Sequence, residues 1–153
     1  MLNAARVMSG VETTEIESVR VKSENVIHMP AGILGFEDCK RFVLLTEPEE
    51  APFSWFQAFG TSDIAFLVLP PFDAIPEYQP ELSNEDVAYL ALKEPSDALI
   101  YNIVTLRPNQ ATINLKGPIV INRFTLRGKQ VILQNASKWS VRHPLPLAQP
   151  ESL

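Results

Sequence analysis

The chain has 153 residues, 46% apolar and 20% charged, with a net charge of −5, a composition that suits one soluble globular domain. Cys39 is the only cysteine, which excludes an internal disulfide and points to a reducing compartment. The longest strongly apolar run, residues 64–69, is far too short to cross a membrane, and the N-terminus lacks a signal-peptide run, so the expected location is the cytoplasm.

Thirteen prolines against six glycines predict stiff turns between short strands rather than long helices. Residues 1–15 have no clear period and read as a flexible extension before a single domain at 16–145. Val19 and Val21 alternate with Arg20 and Lys22 as a half-buried strand, and residues 25–28 read as a second. His28, between Ile27 and Met29, reads as structural. Residues 29–36 form a loop in which Gly32 and Gly35 supply unusual backbone angles and Phe36 is the anchor. Residues 42–46, 53–58 and 64–69 follow as strands. Trp55 and Phe56 are adjacent and therefore face opposite sides of theirs.

Residues 83–92 are the helix candidate. Ser83 is its cap, Asp86 takes the reciprocal capping position, and Val87, Leu90 and Ala91 form one stripe. Residues 98–106 are nearly continuous in apolar side chains, the pattern of a strand covered on both sides. The organising stretch is 111–122. Ile113, Leu115, Ile119 and Ile121 fall on odd positions and predict one core face, while Thr112, Asn114, Lys116 and Asn122 take an opposite, partly solvated face. Gly117 and Pro118 predict a kink or bulge, flanked by Asn114 and Asn122, whose amides are placed to satisfy freed backbone groups. A hairpin turning at Arg127-Gly128 follows, and the prolines from Pro144 onward make 146–153 a disordered tail. The predicted fold is mostly β, a small antiparallel β-barrel or barrel-like sandwich with one short helix.

No phosphate-binding glycine loop, nucleophile elbow or metal-spaced Cys/His pair occurs, so no catalytic, cofactor or metal residue is assigned. Charge is uneven along the chain. Residues 47–97 carry eleven acidic side chains and one basic, whereas residues 98–153 carry seven basic and one acidic. This predicts an acidic face and a basic face. The basic set is Arg107, Lys116, Arg123, Arg127, Lys129, Lys138 and Arg142, with Phe124 and Trp139 as stacking candidates. Direct nucleic-acid binding nonetheless ranks below protein binding, because no RNA-binding signature appears and the pI is near 5.0.

Four motifs in colinear order carry a resemblance. They are Gly32-Ile33-Leu34-Gly35-Phe36, the run from Asn114 to Asn122, Gly128-Lys129-Gln130-Val131-Ile132, and His143-Pro144-Leu145. Over residues 16–145 the chain resembles the FliW family of flagellar assembly factors. It departs in having Leu34 where the family commonly has proline, Trp139 where tyrosine is frequent, and a longer N-terminal extension. The resemblance implies a non-catalytic cytoplasmic adaptor that binds flagellin and also binds and antagonises the translational regulator CsrA, and a monomer is expected. Glu77, Glu81, Glu85, Asp86 and Asp97 are the expected CsrA contacts. Trp55 and Phe56 are the expected flagellin contacts. Gly32, Gly35, Phe36, Asn114, Gly117, Pro118 and Asn122 are expected to be structural, and neither membrane nor nucleic acid is an expected partner. The alternative is a small β-barrel hydrolase, which would need a cavity holding His28 or His143 against a carboxylate.

Overall fold

The computed structural model describes residues 5–7, 25–59 and 64–145. The strand expected at Val19 and Val21 and the tail at 146–153 lie outside them. Ten strands occur among the described residues: β1 (Ala5–Val7), β2 (Ile27–His28), β3 (Arg41–Leu45), β4 (Ser54–Ala58), β5 (Ile64–Leu69), β6 (Ala98–Arg107), β7 (Gln110–Ile113), β8 (Ile119–Asn122), β9 (Gly128–Gln130) and β10 (His143–Pro144). The helix α1 (Asn84–Tyr89) lies between β5 and β6.

All ladders are antiparallel, in the order β10-β7-β6-β5-β4-β3-β2, with β1 beside β5, β8 beside β6, and β9 beside β8. The path does not close. β2 meets the β8–β9 connection through an isolated parallel bridge, His28–Arg127, rather than a ladder. Of the two expected architectures the barrel-like sandwich therefore describes the molecule better.

Alternate side chains of the central strands enter two separate cores. Leu67, Leu69, Val104 and Val120 belong to one, with Leu90 and Leu115; Phe66, Val68, Ile119 and Ile121 belong to the other, with Phe42 and Phe56. β6 was expected to be covered on both sides. It contributes to both cores, but only Asn102 and Val104 are fully buried and its last two residues are exposed, because β6 outruns the layers that cover it.

The stretch 111–122 behaves differently from the expectation of one core face. β7 and β8 both pair with β6, but Ile113 opposes Val104 while Ile119 opposes Tyr101. Five residues, 114–118, therefore stand opposite only Asn102 and Ile103. An odd excess of three reverses the side-chain phase. Ile113 and Leu115 enter the first core, Ile119 and Ile121 the second. Thr112 and Asn122, expected on a solvated face, are buried, and among the even positions named Lys116 is the exposed one.

The expected stripe on α1 is also revised. Ser83 Oγ accepts from Asp86 N at 3.0 Å, which caps the helix. The helix then ends at Tyr89; Leu90 is buried, but Ala91 has φ 55° and is exposed. The hairpin after β8 turns over residues 123–127, not at Arg127-Gly128. Asn122 N donates to Arg127 O, and Gly128 is already a buried strand residue opposite Ile121. β1 lies within the stretch expected to be a loose extension. It pairs with the first half of β5, on the edge that β6 leaves uncovered because β6 joins β5 only at Val68 and Leu69. Backbone pairing of that kind needs no apolar periodicity, so the sequence carries no signal for it.

A polar group lies inside the first core. Tyr78 Oη donates to Leu115 O at 2.7 Å and accepts from Asn102 Nδ2 at 3.2 Å. Burial pushes the Tyr78 phenol up to about 12, above an ordinary value of 10.0. The folded state thus holds this proton more tightly than the unfolded chain. Its contribution to stability is complete below about pH 10 and is lost as pH rises through about 12. Tyr78→Phe is expected to cost about 1–2 kcal/mol at neutral pH, and to remove part of the alkaline loss of stability. Chemical denaturation across an alkaline pH series checks this, and parallel curves for the two proteins would reject it.

Candidate functional site

The acidic residues singled out by sequence divide into two groups. Glu77, Glu81 and Glu85 are exposed. Asp86 is buried and forms an ion pair with Lys129, which arrives from β9. Asp97 is also buried, and its Oδ2 accepts from Lys93 N at 2.9 Å and Glu94 N at 3.1 Å, closing a reciprocal cap with Glu94. Both aspartates are thus occupied within the fold, and neither is a free contact residue. Between α1 and β6 lies an apolar groove of about 350 Å³, lined by Leu82, Val87, Leu92 and Ile100 among others. Lys93 and Glu94 both line it, and Glu81 lies between the lining residues Pro80 and Leu82, so the rim carries charges of both signs.

The basic half of the chain is less free than its charge count implies. The Arg127 guanidinium lies 4.2 Å from the Tyr89 ring centroid, and Arg123 Nε donates to Ser96 O at 2.8 Å. Together with the Lys129–Asp86 pair, these contacts tie part of the basic set to the acidic segment. The two expected charged faces are therefore partly neutralised against each other.

Trp55 and Phe56 separate as strand alternation requires. Phe56 is fully buried and stacks on Phe42, with centroids 4.4 Å apart and planes within 6°, so it is a core residue and not a groove contact. Trp55 is half-buried and lines a groove of about 430 Å³ with Phe53, Leu67 and Leu106. Leu106 is 57% exposed and had not been singled out from sequence. Its signal is weak, since it ends an apolar run where strand and turn meet.

The residues expected to be structural converge around the break in 114–118. Asn114 Oδ1 accepts from Lys116 N and Gly117 N, both at 3.0 Å. Gln130 then bridges two loops, its Oε1 accepting from Leu34 N at 3.0 Å and its Nε2 donating to Gly117 O at 3.2 Å. Gly32 and Gly35 have φ of 68° and 88°, and Phe36 packs edge-on to Phe66 at 5.1 Å. Pro118 is buried and its carbonyl accepts from Val131 N. Glu37 Oε2 accepts from Gly35 N, and backbone N–H groups, Gly35 first, hold its carboxyl below the ordinary 4.5. Asn122 acts elsewhere: its Oδ1 accepts from Phe124 N and Thr125 N, while its Nδ2 donates to Leu90 O and Ala91 O.

His28 is exposed on β2, with its backbone N–H bonded to Leu126 O, and His143 is half-buried on β10. Neither lines the grooves described here. Among the described residues no group of three or more His, Cys, Asp or Glu is placed to hold a metal ion, and no helix is long and apolar enough to cross a membrane.

Fold and surface together define the class: a small, open antiparallel β-sandwich domain presenting shallow apolar grooves with charged rims. The model of the FliW protein family matches residues 10–145, and the chain belongs to that family. It is 38% identical over 131 residues to the flagellar assembly factor FliW of Natranaerobius thermophilus, covering 83% of this chain and 85% of the relative. To the protein of the same name from Desulfitobacterium hafniense strain DSM 10664 it is 40% identical over 142 residues, covering 91% and 93%. A crystal structure of the flagellar assembly factor FliW is similar with a TM-score of 0.77 and 32% identity, covering 84% of this chain and 92% of that one.

Proposed function

We propose that this flagellar assembly factor is a non-catalytic cytoplasmic adaptor that binds flagellin and binds and antagonises CsrA, coupling the free flagellin level to translation of flagellin mRNA. The observation that carries the reading is family membership across nearly the whole chain. The test uses purified components. Adding this protein to a complex of CsrA and labelled flagellin leader RNA should free the RNA, and adding flagellin should restore the complex. RNA that stays bound would overturn the proposal.

The surface around the groove beside α1, where Glu77, Glu81 and Glu85 are exposed, is the one proposed for CsrA, which as an RNA-binding protein presents basic charge. With Asp86 and Asp97 occupied internally, Glu77, Glu81 and Glu85 remain to steer the encounter. Exposed pairs contribute only about 0.2–1 kcal/mol each. The triple reversal to lysine should therefore slow association and flatten its salt dependence without abolishing binding. Stopped-flow rates over a salt series decide it, and a wild-type slope would place CsrA elsewhere. For flagellin, the groove at Trp55 and Leu106 suits an amphipathic helix, and Trp55→Ala is the matching variant.

A further inference from the structure

Two adjoining hollows, of about 340 and 360 Å³, share Leu34, Asn114, Gln130 and Val141 and form one continuous groove beside the 114–118 break. Three large apolar side chains stand out along it: Leu34 is 81% exposed, Ile132 72% and Val141 51%. Leu34 is not exposed by slackness. Its N–H is bonded to Gln130, and its loop is pinned by the Ile33–Phe36 bridge and by Phe36 on Phe66. An apolar side chain held out by a rigid loop is already ordered for contact, so a partner meets little further entropy cost there.

The groove's lining is mostly cationic, three cations against one carboxylate. Arg107, Arg142 and Lys116 line it, and none of them pairs with a carboxylate among the described residues. The acidic residue in the lining, Glu37, is turned back onto Gly35 N. Asn114 adds a directional group. Its Oδ1 is taken by two backbone N–H groups, which fixes the amide orientation. Its Nδ2 has no partner among the described residues.

We infer that this groove is a second docking surface, for a protein segment with an apolar stripe flanked by acidic side chains. Leu34, Ile132 and Val141 receive the stripe, the three cations meet the acids, and Asn114 Nδ2 donates to a backbone carbonyl of the segment. An anionic membrane offers the same charge and apolarity. The surface is concave, however, and an unpartnered amide donor lines it, where a hydrocarbon phase would leave that donor unsatisfied.

The test uses two synthetic amphipathic peptides with the same leucine stripe at i, i+3, i+4 spacing, one flanked by glutamate and one by lysine. Fluorescence anisotropy with the full chain is expected to give at least about tenfold tighter binding of the glutamate peptide. Leu34→Asp should weaken it by about tenfold, and the double variant Arg107→Glu/Arg142→Glu should switch the preference to the lysine peptide. These positions are exposed and circular dichroism would confirm that the variants fold. Because the switch is a gain of binding, unfolding does not mimic it. Binding of neither peptide, equal binding of both, or no response to the variants would overturn the inference. So would Leu34-dependent sedimentation with phosphatidylglycerol vesicles without peptide binding, which would make the surface a membrane contact.

Discussion

Gly32→Ala is expected to lower the unfolding free energy by about 2–5 kcal/mol. At φ 68° an alanine adopts the left-handed conformation at a cost of about 1–2 kcal/mol. A Cβ there would also lie 2.6 Å from Glu37 Cα and 2.7 Å from Glu37 O. Those are backbone atoms, so relief requires moving the chain, an overpacking cost of about 1–3 kcal/mol. Gly35→Ala is the internal control. Its φ is 88°, but no atom lies within 4 Å of the added carbon, so only the conformational cost of about 1–2 kcal/mol remains. Urea denaturation of both variants compares them directly, and equal losses would mean that the loop at 29–37 is not held as described. The smaller effect also makes Gly35→Ala the better probe of binding, since the protein stays folded.

Asn122→Ala should cost roughly 3 kcal/mol. One side chain serves two structural ends. Its oxygen accepts from Phe124 N at 2.8 Å and Thr125 N at 3.1 Å, and its nitrogen donates to Leu90 O at 2.9 Å and Ala91 O at 3.3 Å. Each bond contributes about 0.5–1.5 kcal/mol net, and the residue is buried, so water replaces these bonds poorly. Asn122→Asp separates the two ends. It keeps an acceptor for the turn but sets a carboxylate against two carbonyl oxygens. It should therefore be at least as costly as alanine at neutral pH, and should recover as acid protonates the carboxylate. Hydrogen exchange should show α1 and residues 123–127 loosening together in both variants. A loss under about 1 kcal/mol, or loosening of the turn alone, would remove Asn122 as the link between helix and hairpin.

The sequence was most informative where the information is local. Apolar and aromatic runs between breakers located β3, β4 and β5 to within a residue, because a strand's composition and its end signals lie in its own stretch of chain. The opposite facing of Trp55 and Phe56 is local in the same way, as is the Ser83 cap, which involves residues three apart. The family motifs also lay in the sequence, since a glycine at positive φ is dictated by its own loop.

Tertiary structure decided everything that depends on residues far apart in the chain. The 114–118 insertion reverses which core receives Ile119 and Ile121, and that phase exists only relative to β6. Asp86 reads as a free acid until Lys129 arrives beside it from 43 residues on, whereas Asp97 is taken by a local cap, the backbone of Lys93 and Glu94, that the sequence reading passed over. Phe56 is buried because Phe42 stacks on it from the neighbouring strand. The groove at Leu34, Ile132 and Val141 is assembled from three segments spread over about a hundred residues of chain, each unremarkable alone. A side chain's chemical type and its alternation along a strand are properties of the sequence. Whether its charge is neutralised or its apolar surface covered depends on what the fold places against it, and that physical fact belongs to the tertiary structure alone.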